Sequence, residues 1–152
     1  QMLDYLHNKD PNKFKKRKIS VIVGDESFMM DPQTLNLYAR TKADIKVFVI
    51  DNKAPDGTPG GMVRQWYKRV HKNTQHPVED PRDIAKIARG FGVLAENVYY
   101  VDQVERTIKR ALNTPRPYLV NFKVDPYEDC LPMVPSGMTV KDMVTYQSTR
   151  SK

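Results

Sequence analysis

The sequence predicts an α/β fold with a mainly parallel sheet and helices on both faces. Short apolar runs rich in β-branched residues recur along the chain, at 18–24 and 45–51 for example. Such continuous apolar runs are typical of the buried strands of a parallel sheet. Segments with apolar residues at helical spacing separate the runs and give the order β-α-β-α-α-β-α-β. This alternation favours parallel strands joined by helical crossovers.

The first half of the chain predicts two strands and the helix between them. Residues 2–8 have the pattern of the end of a helix, and the first strand is predicted at 18–24. Asp31 is the predicted N-cap of the next helix, with Pro32 in its first turn. The second strand is predicted at 45–51, so the first βαβ unit is complete there.

The second half begins with a loop rich in Pro and Gly at 53–61. The pattern then predicts, in order, a helix carrying Met62 and Val63, a helix begun by Asp80-Pro81, a strand at 97–101, a helix capped by Asp102, a strand at 118–124 and a short helix at 139–146. We therefore expect an α/β domain at 1–124, incomplete at its N-terminal side, and a C-terminal tail at 125–152.

Composition limits the classes of function. A chain of 152 residues can bury one core, and it has no apolar run of membrane-spanning length. The net charge of +7 and the basic run 13–18 allow a nucleic-acid binder, but a solvated connection explains the run better. We therefore expect neither a membrane nor a nucleic acid as partner. The single Cys130 excludes an intrachain disulfide and favours an intracellular, reducing compartment.

Polar residues follow the first two predicted strands. Asp25 and Asn52 are separated by 26 residues, about the length of a helix and a return strand. In a parallel sheet both would reach the carboxyl edge, where ligands bind. Their oxygens, with the Ala54 carbonyl, suit magnesium, and the N–H groups around Glu26 and Ser27 suit a phosphate. On spacing alone, the alternative that Asp25 and Asn52 only form turns is equally good.

Three segments carry a family resemblance. Residues 24–27 (Gly-Asp-Glu-Ser) with 51–52 (Asp-Asn) resemble the Gly-Asp-Gly and Asn-Asn motif of thiamine-diphosphate enzymes. Residues 61–66 (Gly-Met-Val-Arg-Gln-Trp) are similar to the Gly-Met-Val-x-Gln-Trp segment of acetolactate (acetohydroxyacid) synthase catalytic subunits. Residues 131–137 (Leu-Pro-Met-Val-Pro-Ser-Gly) are similar to the C-terminal tail of those subunits. The resemblance covers residues 18–146 in the family order.

This resemblance implies a thiamine-diphosphate-binding fold and a role for each matched residue. The implied magnesium ligands are Asp25, Asn52 and the Ala54 carbonyl, and the implied cofactor contacts are Gly24, Asp25, Glu26, Ser27, Asn52, Gly61 and Met62. The implied substrate channel is lined by Val63, Trp66, Ser136 and Gly137. From periodicity alone, Met62, Val63 and Trp66 would form a plain core stripe, and Ser136 a simple turn.

The resemblance also implies decarboxylation of pyruvate and its condensation with a second 2-keto acid, in branched-chain amino-acid biosynthesis. The activating glutamate of the family lies on another domain of a neighbouring subunit. No catalytic residue is therefore expected here, and the fragment alone is expected to be inactive. The implied partners are the remaining domains of the enzyme, with FAD in the full-length family, a second subunit and a regulatory subunit. The implied compartment is cytoplasmic in a bacterium and mitochondrial or plastid in a eukaryote.

Three positions depart from the family pattern. Glu26 stands where the motif has Gly or another small residue, and its carboxylate either points away or weakens binding of the diphosphate. Asp51 replaces the first Asn, and the loop 53–60 is longer than the link of the family. These departures support one alternative, a degenerate scaffold or regulatory domain of the same fold. Another thiamine-diphosphate decarboxylase is a second alternative.

Overall fold

The computed structural model describes residues 18–54, 60–65 and 82–146. The predictions at 2–8 and at Asp80-Pro81 therefore lie outside the described residues, as does Trp66. The chain divides into two compact units. The first comprises Gln1–Asp51 and Arg82–Val124, and the second comprises Asn52–Pro81 and Asp125–Lys152.

The first unit contains a four-stranded sheet. Its strands are β1 (Ile19–Gly24), β2 (Ile45–Asp51), β3 (Leu94–Val98) and β4 (Tyr118–Lys123). The spatial order is β1-β2-β4-β3, and all three neighbouring pairs are parallel. The last strand in the chain therefore lies between the second and the third. The predicted parallel α/β fold is confirmed.

Helices cover both faces of this sheet. They are α1 (Asp25–Met30), α2 (Thr34–Thr41), α3 (Ile84–Gly90) and α4 (Val101–Asn113). The first three pack on one face, where the buried cluster consists of Phe28, Leu35, Val47, Val49, Ile84, Ala88, Val93 and Leu119. On the other face α4 packs over a second cluster, formed by Phe48, Val98, Ala111, Tyr118, Val120 and Phe122. Alternate residues of β2 and β4 supply the two clusters, as the period of a strand requires.

The start of α2 differs from the predicted one, and α1 was not among the predicted helices. The short helix α1 begins directly after β1, whereas the first helix predicted after that strand began after Asp31. Helix α2 begins at Thr34 rather than after Asp31, and the Asp31 carboxylate instead accepts a hydrogen bond from the Thr34 hydroxyl. Helix α3 is capped by Asp83, whose carboxylate accepts the Lys86 N–H at 3.0 Å.

The third strand was predicted three residues too late. It spans Leu94–Val98, not 97–101, and Val101 is the first residue of α4, so Asp102 lies inside the helix instead of capping it. Tyr99 and Tyr100 have high strand propensity but remain exposed. Pairing with β4 sets the strand instead, and such tertiary pairing overrides local β propensity.

A buried lysine lies near the edge of the sheet at which the strands begin. The side chain of Lys46, in β2, is fully buried and its ammonium donates to Asp44 Oδ1 at 2.5 Å. It also donates to the carbonyls of Thr114 and Arg116, at 2.5 and 2.7 Å. Three acceptors satisfy the three donors of the ammonium. The side chain therefore ties the start of β2 to the connection between α4 and β4.

The second unit combines a helical segment with the C-terminal tail. Residues 61–65 are helical, and the buried Arg64 donates to the Pro126 and Tyr127 carbonyls at 3.2 and 2.7 Å and pairs with Asp129. A 3₁₀ turn, Val140–Asp142, forms where a helix was predicted at 139–146, and residues 143–145 are not helical. A capping box closes this turn.

Candidate functional site

Two buried carboxylates lie at the carboxyl edge of the sheet in the first unit. Asp25 begins α1 directly after β1, and Asp51 ends β2, where it is 3% exposed. Asp25 is 8% exposed. Burial raises the pKa of Asp25 above its ordinary value of 3.8, and the Asp51 carboxylate raises it further. A site that holds these charges together is suited to a cation.

Asp51 already has partners of its own. Its Oδ2 accepts from the Lys123 ammonium at 2.6 Å and from the Asn121 amide at 3.0 Å. Lys123 lies opposite Asp51 in the pairing of β2 with β4, so the strand register produces the ion pair. Asp51 is thereby fixed and neutralised.

A line of amide side chains leads away from Asp51. The Asn121 Nδ2 also donates to Asn97 Oδ1 at 2.9 Å, and the Asn97 Nδ2 donates to the Asp83 carboxylate at 3.1 Å. The carboxylates at the two ends can only accept, so they fix the orientation of both amides. Asn121 Oδ1 is buried and has no hydrogen-bond partner among the described residues. The line joins Asp51 to the N-cap of α3.

The Glu26 side chain is turned toward a cation. Its Oε1 lies 2.5 Å from Nη2 of Arg82, and Glu26 remains 68% exposed. Arg82 directly precedes Asp83, the N-cap of α3. Glu26 was expected either to point away from the diphosphate or to weaken its binding, and the ion pair gives its charge a partner.

In the second unit, Asn52 is enclosed by two glycines. A Cβ at Gly60 would lie 1.9 Å from the Asn52 carbonyl oxygen, and one at Gly61 would lie 2.5 Å from the Asn52 Nδ2. Gly61 also has a φ of 53°, which favours glycine. The two ends of the long loop at 53–60 therefore meet at Asn52, whatever the length of the loop between them. Ala54 is buried at 2% exposure.

Met62 and Val63 do not belong to a core. They follow Gly61 in the helical segment, but they are 64% and 47% exposed, so the core-stripe interpretation is wrong for both. Apolar side chains left exposed beside two close-packed glycines suit a surface that meets a ligand or another protein segment. Trp66 lies outside the described residues.

Ser136 and Gly137 are the central residues of a turn. The Met138 N–H donates to the Pro135 carbonyl at 3.0 Å, and Gly137 has a φ of 77°. A positive φ at the third position of such a turn is the reason for a glycine there. The turn alternative is confirmed, and the role of both residues in a substrate channel stays a prediction.

The Asp25 carboxylate fits a divalent cation. In the described part of the chain, no lysine or arginine forms an ion pair with it, and the charge of Arg82 lowers its pKa by less than burial and Asp51 raise it. A buried carboxylate is stable only when paired or bound to metal. No cluster of three or more Asp, Glu, His or Cys side chains among the described residues forms a metal site. An implied set with one carboxylate, one amide and one carbonyl does not require such a cluster.

The sequence did not reveal several residues of this site. Asn121 stands in an otherwise apolar buried strand, and a polar residue there was the available signal of a buried network. Arg82 and Lys123 carried no local signal, because their partners lie 56 and 72 positions away in the chain.

Most of the chain is similar to a known enzyme family. Residues 9–122 match the family described as thiamine pyrophosphate enzyme, C-terminal TPP binding domain. The chain is 37% identical over 132 residues to acetolactate synthase 1, chloroplastic, of Zea mays, and covers 20% of that protein. It is 32% identical over 125 residues to the acetolactate synthase isozyme 2 large subunit of Escherichia coli, and covers 22% of it. Each match includes 81% of this chain.

Solved structures of other proteins share the fold. An example is a thiamine diphosphate-dependent 4-hydroxybenzoylformate decarboxylase of Rhodococcus jostii, with a TM-score of 0.61 and 21% identity over 80% of this chain and 21% of that one. The chain spans about one fifth of the length of the curated relatives it matches. Among the described residues, no helix has the length and apolar character needed to span a membrane.

Proposed function

The chain belongs to the thiamine pyrophosphate enzymes as a C-terminal TPP binding domain, and from this premise we propose that it binds thiamine diphosphate through magnesium in an acetolactate synthase-like enzyme. The observation that carries the proposal is the buried Asp25 carboxylate, which forms no ion pair with a cationic side chain among the described residues, although the charge of Arg82 acts on it from a distance. Magnesium would supply the missing positive charge and link the carboxylate to a diphosphate.

Each residue of the proposed site has a defined part. Asp25, the Asn52 amide oxygen and the Ala54 carbonyl hold magnesium. Gly24, Glu26 and Ser27, at the junction of β1 and α1, line the diphosphate. Gly61 and Met62 contact the cofactor, and Val63, Trp66, Ser136 and Gly137 line the substrate channel. Close packing of Gly60 and Gly61 on Asn52 supports this assignment, since it fixes the side chain that is to bind the metal.

The chemistry of the whole enzyme extends beyond this chain. Bound thiamine diphosphate supplies an electron sink for decarboxylation of a 2-keto acid. The residues of this chain bind and orient the diphosphate end, and the exposed Met62 and Val63 shield the reacting end from water. We propose that decarboxylation of pyruvate and condensation with a second 2-keto acid also require the other domains, FAD and a second subunit. We also propose that the protein lies in the same cellular compartment as the acetolactate synthases.

Metal-dependent cofactor binding tests this function. Thiamine diphosphate is titrated into the intact protein by calorimetry, first with magnesium and then with EDTA in its place. We expect saturable binding with magnesium, and a loss of at least about a hundredfold in affinity with EDTA, because the diphosphate then faces carboxylates directly. Equal affinity under both conditions, or no binding under either, would contradict the proposal. The second result would support the scaffold alternative.

A further inference from the structure

We propose that Arg82 balances the charge of Glu26 and positions its carboxylate, so that a diphosphate can bind beside a glutamate that would otherwise repel it. This inference rests on the proposed function and concerns two residues of the first unit. Arg82 is a positioning residue, since it acts on the ligand through Glu26. The two residues are 56 positions apart in the chain, so the fold and not the local sequence brings them together.

The backbone at Arg82 is held in place by its neighbour. The Asp83 carboxylate caps α3 through the Lys86 N–H and accepts from the Asn97 amide at 3.1 Å. Asn97 is in turn bonded to Asn121, whose amide also reaches Asp51. The start of α3 is thus linked to the carboxyl edge of the sheet. The Arg82 side chain, next to Asp83, is only 23% exposed.

The ion pair contributes little to the stability of the fold. The Glu26 side chain is 68% exposed, and pairs of this kind contribute almost nothing measurable to folding. A gain in folding stability therefore does not explain why a partly buried arginine faces this glutamate at 2.5 Å. Charge compensation explains it, because Glu26 follows Asp25 directly and would add a further negative charge near the anionic ligand.

Positive charge matches negative charge at this edge of the sheet. Lys123 pairs with Asp51, and Arg82 pairs with Glu26. Among the residues that the structure describes, no cationic side chain forms an ion pair with Asp25, and this is the carboxylate that the proposed magnesium binds. With both pairs intact, the metal is left to neutralise Asp25 and the diphosphate. Without Arg82, the Glu26 charge would oppose the ligand.

A double-mutant cycle in the intact protein tests this inference. The proteins are wild type, Glu26→Gln, Arg82→Gln and the double variant, with Lys86→Gln as control because it removes an exposed positive charge from α3, the helix that follows Arg82. The dissociation constant of thiamine diphosphate is measured at saturating magnesium, at low salt and at about 1 M NaCl. The urea midpoint of each protein without ligand is measured alongside.

Arg82→Gln is expected to weaken binding of thiamine diphosphate roughly tenfold at low salt, because the unpaired Glu26 carboxylate then repels the diphosphate. The double variant should return to within about threefold of wild type, and the effect should shrink at high salt. Urea midpoints should stay nearly equal, which separates positioning from a structural role.

Three results would overturn the inference. If Arg82→Gln matches Lys86→Gln in affinity while wild type binds well, the proposed function stands and this inference falls. If the double variant stays as weak as Arg82→Gln, Arg82 contacts the ligand itself. If wild type does not bind with magnesium, the proposed function is rejected and this inference with it.

Discussion

Replacing Gly60 by alanine tests how Asn52 is held without changing any proposed ligand. The new Cβ would lie 1.9 Å from the Asn52 carbonyl oxygen and 3.0 Å from its Cγ. Ordinary contact between such atoms needs about 3.5 Å, so Asn52 and residue 60 must separate by more than about 1 Å. A misplacement of about 1 Å at a binding residue can cost roughly a hundredfold. We expect magnesium-dependent affinity for thiamine diphosphate to fall by about that factor.

The matched control is Gly90→Ala. Gly90 ends α3, and a Cβ there would meet no atom within 4 Å. Alanine at such a helical position should raise the free energy of unfolding by about 0.4–1 kcal/mol and leave cofactor affinity unchanged. Gly60→Ala should lower the free energy of unfolding by about 1–3 kcal/mol, as overpacking does. Both quantities come from urea unfolding and cofactor titration of the same preparations. Wild-type affinity in a folded Gly60→Ala protein would refute this reasoning.

Three further predictions concern stability. Lys46→Met should lower the free energy of unfolding by about 3–5 kcal/mol in urea, because it leaves a carboxylate and two carbonyls without their cation; a loss below about 1 kcal/mol would contradict the buried network. Without metal and cofactor, Asp25→Asn should stabilise the protein by about 0.5–2 kcal/mol at pH 7. Burial raises the pKa of Asp25, so urea midpoints should show this gain in stability growing as pH rises above 3.8 and vanishing below 3.8. A gain that is the same at every pH would contradict this prediction. Asp83→Ala should cost about 1 kcal/mol. Burial raises the pKa of Asp83, but hydrogen bonds from the Lys86 N–H and Asn97 lower it more. The loss of unfolding free energy caused by Asp83→Ala should therefore shrink as pH falls from 3.8 through the lowered pKa.

Local sequence patterns predicted the sheet better than the helix starts. The runs that became β1, β2 and β4 are apolar enough to be recognised one at a time, and each strand lies within the predicted segment. The third strand was misplaced because Tyr99 and Tyr100 favour a strand locally, whereas pairing with β4 is a long-range contact. Helix α1 was missed because its six residues are too few to show a helical period.

Local patterns also suggested only part of the proposed site. Asp25 and Asn52 could be proposed from the sequence because each follows a strand that the sequence predicts. The partners that set the charge of the site could not be found, because Lys123 and Arg82 meet their carboxylates only through the fold. The sequence left two outcomes for Glu26, a side chain that points away from the diphosphate or weaker binding of the diphosphate, and only the structure shows the arginine beside it.

Removal of the Asp25 carboxylate should abolish retention of the cofactor. The intact wild type, Asp25→Ala and Asp102→Ala are each loaded with magnesium and thiamine diphosphate, passed through a desalting column and assayed for retained cofactor. Asp102 is an exposed carboxylate in the first turn of α4 and serves as the control. We predict that wild type and Asp102→Ala retain the cofactor and that Asp25→Ala retains none. Retention by Asp25→Ala equal to that of wild type would contradict the account.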